Sequence, residues 1–95
     1  MIDDIERSKL EIEAATGEQY QRIMDDIMGD FFTKKQLELF GVFLNMSSKE
    51  PDALMLLKMQ ANAVESLKQE FEHFINTGKM ARHTLDEFEE NTDGK

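Results

Sequence analysis

The stretch from Pro51 to Thr77 constrains the fold more than any other part of this 95-residue chain. It contains no glycine and no second proline, and its apolar residues recur at alternating spacings of three and four, with only Lys68 out of step. This repeat is typical of a long helix with a heptad seam along one side. A helix of about 27 residues would be about 40 Å long. The seam consists of Leu54, Leu57, Ala61, Val64, Phe71 and Ile75.

A second apolar row lies beside this seam on the same predicted helix. A chain this short buries only a modest part of its surface, so its stability is marginal unless it associates. Two apolar rows on one helix therefore need cover from another helix or from another subunit, and we expect coiled-coil packing in a homo-oligomer. The second row comprises Leu56, Met59, Ala63, Leu67 and Phe74.

An amphipathic helix is predicted over about 18–30, ahead of the long helix. Its apolar residues recur at helical spacing between Tyr20 and Phe31. The preceding tetrapeptide, Thr16–Gln19, matches the capping box, in which the threonine and glutamine side chains each bond a free backbone N–H. A shorter helix with sparse apolar positions is expected before it, over 3–15.

A further helix is predicted over about 34–47. The tetrapeptide Thr33–Gln36 is a second capping-box match, and Gly29 upstream of it favours a break or kink. Gly41 lies inside this helix, where glycine costs about 1 kcal/mol relative to alanine. Such a glycine indicates either low helix propensity or the close approach of another helix. We favour close approach.

The predicted fold is all-α. Turn-forming residues cluster in Ser47–Asp52, and a linker this short brings its two flanking helices together. The sequence therefore predicts an antiparallel helical hairpin of about 34–47 and 51–77, with one or two shorter helices before it.

The long helix is predicted to end at Asn76–Gly78, because glycine commonly follows the last turn of a helix. We expect residues 1–78 to form a single helical domain. Residues 79–95 are expected to be an acidic, largely flexible tail, in which Thr84–Glu87 could cap one further turn.

Acidic residues dominate the start of the chain. The net charge is −9, and residues 1–30 contribute −6 of it. Long-range attraction to phosphate is therefore not expected, nor is direct nucleic-acid binding by the isolated chain. A basic protein partner would fit better, and Asp25, Asp26 and Asp30 form a candidate acidic partner face.

Cysteine is absent, so disulfides and cysteine-based zinc sites cannot form. The N-terminus is acidic rather than basic, unlike a signal peptide. No apolar run approaches the length that a bilayer requires. We expect a cytoplasmic protein that does not bind membranes.

The sequence offers no clear catalytic chemistry. Glu70 and His73 share a helical face, as in di-iron bundles, but such sites need a second motif and two further glutamates. A symmetric dimer could duplicate the motif, yet a solvated Glu/His face is the expectation. No nucleophile, phosphate-loop or dinucleotide motif occurs, so we expect no enzyme, no catalytic residue, no metal and no cofactor.

The order of segments from Glu18 to Thr77 resembles the central oligomerisation region of the small terminase subunits of tailed bacteriophages. The resemblance rests on an amphipathic helix, then Phe43-Leu44, then the turn from Ser48 to Pro51, and then a long helix bearing Asn62, Leu67 and Lys68. It implies a helical hairpin that assembles into rings and regulates a larger motor subunit during DNA packaging in an infected bacterial cell. No basic helix-turn-helix precedes these segments, so the resemblance does not extend to direct DNA recognition.

The function expected from these patterns is that of a non-enzymatic assembly or regulatory protein acting through protein contacts. Packing within and between chains is expected at Phe40, Leu44, Leu57, Ala61, Val64 and Phe71. The alternative is an acidic inhibitor, or nucleic-acid mimic, that blocks a basic site on a partner protein. A metal-dependent activity of Glu70 and His73 comes third.

Overall fold

The protein is all-α. The computed structural model describes residues 2–46 and 50–93, with side chains described as far as residue 90. These ranges contain no β-strand. The elements are α1 (Asp4–Ile23), a π-helix (Met24–Met28), α2 (Gly29–Leu44) and α3 (Pro51–Asp93). Within the predicted turn, residues 47–49 lie outside the described residues.

The chain divides into two compact units. The first, which we call the terminal unit, consists of the described parts of Met1–Arg22 and Phe71–Lys95. The second, the central unit, consists of the described parts of Ile23–Glu70. The sequence instead predicts a single domain over residues 1–78. The residues of α3 are shared between the two units.

Both predicted capping boxes are wrong, because their threonines lie inside helices. An N-cap residue must leave helical backbone geometry, whereas Thr16 lies within α1 and Thr33 lies within α2. The hydroxyl of Thr33 instead donates to the carbonyl oxygen of Gly29 at 3.1 Å, a bond that threonine makes within a continuing helix. The two helices predicted to begin near residues 18 and 34 begin earlier in the structure: α1 begins at Asp4, and α2 begins at Gly29. The start of α1 is capped by Asp3, whose Oδ1 accepts a bond from the backbone N–H of Glu6 at 2.7 Å.

The irregularity predicted at Gly29 is a change of helix type. The backbone N–H of Gly29 bonds the carbonyl oxygen of Met24, five residues back, which is the bond of a π-helix. A Cβ atom on Gly29 would lie 2.7 Å from that oxygen. Glycine at this position therefore makes room for the π turn.

The predicted helix stop at Asn76–Gly78 is also wrong. Gly78 has a negative φ, so it does not adopt the left-handed conformation of a glycine C-cap. The helix continues through Asp93, where a solvated tail from residue 79 was expected. Ala81 and Leu85 are 2% and 4% exposed, so packing against α1 explains why this segment stays helical.

In the terminal unit, α1 packs against residues 71–90 of α3 in the opposite direction. Ala14, Ala81 and Leu85 form a buried cluster, and Leu10 packs against it. Towards the other end of the contact, the ring of Tyr20 lies between two phenylalanines. The centroid distances are 5.0 Å to Phe71 and 4.7 Å to Phe74.

Two glycines set the distance between these helices. A Cβ atom on Gly17 would lie 2.6 Å from the Cα atom of Gly78, and a Cβ atom on Gly78 would lie 2.6 Å from the Cα atom of Gly17. Real Cβ atoms do not approach other atoms so closely, so the two backbones are in direct contact. Beside this contact, Arg82 forms an exposed ion pair with Glu18 at 3.6 Å, which adds at most about 1 kcal/mol.

In the central unit, α2 lies against the first part of α3. The buried hydrophobic side chains here are Phe32, Leu39 and Leu57, at 1%, 7% and 8% exposure. The amide of Gln36 donates to a carboxylate oxygen of Glu65 at 3.1 Å and links the two helices. Three buried side chains make a small core for a unit of this length.

Candidate association surface

Exposed apolar side chains are concentrated in the central unit. Among the described residues, sixteen large hydrophobic side chains are exposed, and twelve of them lie between Ile23 and Glu70. A monomeric protein scatters such side chains singly, whereas contiguous apolar surface marks contacts with other molecules. The largest exposures in α2 and α3 of this unit are those of Met55, Leu37, Leu44, Leu56 and Met59.

A groove of about 640 Å³ runs between α2 and α3 in this unit. Three residues of each helix, including Phe40, Phe43 and Ala61, form its apolar lining. Phe40 and Phe43 are 58% and 52% exposed, so their rings are open to solvent in the single chain. The apolar lining is Leu39, Phe40, Phe43, Leu54, Leu57 and Ala61, and the polar rim is Gln36, Lys58, Asn62 and Glu65.

The predicted packing residues fall into two groups. Leu57 is buried, and Val64 and Phe71 are half-buried, so the chain itself covers much of the predicted seam. Phe40, Leu44 and the small Ala61 are exposed. Contact of this second group with another chain therefore stays a prediction, and the structure leaves these side chains accessible for it.

The second apolar row of α3 is exposed along the central unit. Leu56, Met59 and Leu67 are 62%, 60% and 41% exposed, and Ala63 is exposed as well. Phe74, the last member of the row, belongs to the terminal unit, where its ring stacks on Tyr20. The first row thus faces a neighbouring helix, while most of the second row lacks intrachain cover.

The three aspartates of the predicted acidic face lie on and next to the π-helix. Asp25 and Asp26 are exposed residues of the π-helix itself. Asp30 is the second residue of α2 and forms an ion pair with Lys34 at 2.9 Å. All three side chains are exposed, and Asp30 has Lys34 as a cationic neighbour.

Glu70 and His73 are both exposed. The imidazole of His73 contacts the ring of Phe74, with centroids 5.7 Å apart. The other histidine, His83, pairs with Glu87 at 2.9 Å. Across the part of the chain that the structure describes, no three histidine, aspartate or glutamate side chains are arranged to hold a metal ion.

No family model, curated protein or solved structure matches the chain, so comparison with known proteins does not assign a role to this surface. None of the helices in the described ranges is both long enough and apolar enough to cross a membrane.

Sequence reasoning missed two features of these surfaces. The sequence patterns above do not single out Lys58 and Glu65, although these residues lie seven positions apart and thus on one face of α3. Gly17 and Gly78 were read as parts of a helix start and a helix stop. The heptad spacing from Val64 through Phe71 to Gly78 could have shown that the seam continues past residue 77.

Proposed function

We propose that this chain is a non-enzymatic assembly or regulatory protein that associates with itself through the central unit. One observation carries the proposal: the central unit buries Phe32, Leu39 and Leu57 but exposes twelve large hydrophobic side chains. Apolar burial contributes about 25 cal/mol per Å². Burial of these side chains against a second chain therefore stabilises the associated state strongly relative to the single chain.

The total exposed area supports self-association. The chain exposes 7536 Å², whereas a folded monomer of its mass, 11.0 kDa, exposes about 5,600 Å². The difference, about 1,900 Å² per chain, exceeds the roughly 800 Å² that each partner buries in an interface of standard size.

The helical hairpin predicted from about 34–47 and 51–77 is the element through which we propose this association to occur. The hydrogen bond between Gln36 and Glu65 and the shared groove support this arrangement. In this proposal the protein acts as a DNA-packaging subunit similar to small terminase subunits, and its partner is a larger motor protein. The resemblance in segment order supports that role.

The absolute mass in solution, measured by light scattering across protein concentration, tests the proposal. We expect a multiple of 11.0 kDa that persists on dilution to about micromolar concentration, as apolar interfaces of this size allow. A monomer at every concentration would contradict self-association.

The second candidate is an acidic inhibitor of a basic partner site. The exposure of Asp25 and Asp26 on a π-helix favours it, because π-helical turns often occur at functional sites. This candidate requires charge-driven binding, which weakens as salt rises. Salt-insensitive binding to such a basic partner would contradict this candidate.

A further inference from the structure

The rim of the groove carries a charge pattern that selects one kind of occupant. Lys58 and Glu65 both line the groove from α3, and a separation of two helical turns places them about 10 Å apart on one face. Glu65 accepts the hydrogen bond from Gln36, which holds its carboxylate at the rim. Lys58 takes part in no ion pair within the described residues.

We propose that a second copy of this chain occupies the groove in antiparallel orientation, about a two-fold axis that passes between Ala61 and Asn62. This inference rests on the proposed function. A two-fold axis makes every contact reciprocal. Position 58 of each copy then faces position 65 of the other, so two Lys58–Glu65 pairs form together. A parallel arrangement would oppose like charges at both positions, which is unfavourable.

The same axis brings the exposed aromatic rings together. Gln36 on α2 lies opposite Glu65 on α3, and a short connection joins the two helices, so they run in opposite directions. Phe40, four residues after Gln36, therefore lies opposite Ala61, next to the axis. There the Phe40 rings of the two copies meet, and each Phe43 ring is covered by the other copy's α2.

The result is a four-helix core built from α2 and α3 of both copies. The small side chain of Ala61 lets the two α3 helices approach closely where they cross. Burial of Phe40 and Phe43 supplies the affinity, since aromatic side chains dominate the energy of such contacts. The two charge pairs select the antiparallel register.

Single and paired charge reversals test this geometry. In Lys58→Glu, and equally in Glu65→Lys, both pairs become repulsive. We expect each homodimer to weaken about tenfold, because two exposed pairs change from attraction to repulsion. An equimolar mixture of the two variants restores both pairs across one heterodimer and should recover most of the lost affinity. The double variant K58E/E65K should recover it as well.

Light scattering and sedimentation of the full chain give the readout, and circular dichroism checks that each variant keeps its helix content. The matched controls are Lys9→Glu and Glu11→Lys, which make the same charge changes at exposed positions of α1 in the terminal unit. These controls should leave the dissociation constant unchanged.

Each contrary outcome is informative. If the wild-type chain associates but K58E and E65K associate equally well, the groove is not the interface, and the proposed function stands without this inference. If both variants weaken but the mixture stays dissociated, the antiparallel register is wrong. If the wild-type chain is a monomer throughout, the inference and the proposed function both fail.

Discussion

At the scale of single residues, the glycines show how one residue type serves different purposes. Gly17 and Gly78 allow two helix backbones to touch, and Gly29 leaves room for a π-helical carbonyl. Gly41 has nothing within 4 Å of the position its Cβ would occupy, among the residues described. The close helix approach predicted at Gly41 is therefore wrong for the single chain, and it occurs instead at Gly17.

Alanine substitutions of Gly17 and of Gly41 should have opposite effects on the stability of the fold. Gly17→Ala places a methyl group 2.6 Å from the Cα atom of Gly78, so the helices must separate, at a cost of about 1–3 kcal/mol. Gly41→Ala, the matched control, should stabilise the protein by up to about 1 kcal/mol through higher helix propensity. Urea unfolding at one fixed protein concentration measures both. A G17A variant as stable as wild type would contradict the backbone contact.

At the scale of elements, the length of α3 depends on what it packs against. Residues from Leu54 to Glu65 line a groove with α2, and residues from Phe71 to Leu85 pack against α1. The segment after Gly78 contains many charged residues, which suggested a solvated tail. It remains helical because Ala81 and Leu85 are buried with Ala14.

Truncation tests whether this last part of α3 is structural. A chain that ends at Gly78 loses the buried Leu85, whose burial alone contributes about 1.5–3 kcal/mol. It should therefore unfold at lower temperature than the full chain. A chain that ends at Glu90 keeps Ala81 and Leu85, and its unfolding temperature should stay close to that of the full chain. Equal unfolding temperatures for the full chain and the chain that ends at Gly78 would show that the segment adds nothing.

At the scale of the whole molecule, net charge and apolar surface act in opposite directions. A net charge of −9 on each copy disfavours self-association. The exposed side chains of the central unit favour it. Because salt screens charge and leaves apolar burial intact, ionic strength shows which effect dominates.

Raising the salt from about 50 mM to about 500 mM should leave self-association intact or strengthen it, since repulsion between acidic copies is screened. The triple variant D25N/D26N/D30N removes three negative charges per chain and should likewise remain associated at low salt. Sedimentation measures both. Dissociation on adding salt would show that charge attraction, rather than apolar burial, holds the copies together, which would contradict the proposed interface.

Much of the helical pattern could be predicted because it is local. The 3-4 spacing from Leu54 to Ile75 predicts a helix with a buried seam, and Leu57 and Ile75 are indeed buried. Tyr20 to Phe31 shows helical spacing, and those residues are helical. Local motifs misplaced the helix ends, because Thr16 and Thr33 match capping boxes although neither leaves helical geometry.

The sequence by itself determined that this chain is all-α, since apolar periodicity and helix propensity are properties of neighbouring residues. Only the tertiary structure decided that α3 continues through Asp93, that Gly17 and Gly78 are in contact, and that a groove opens between α2 and α3. Each of these depends on the distance to a segment remote in sequence. A glycine that could end a helix instead allows two helices to touch once a second helix lies beside it.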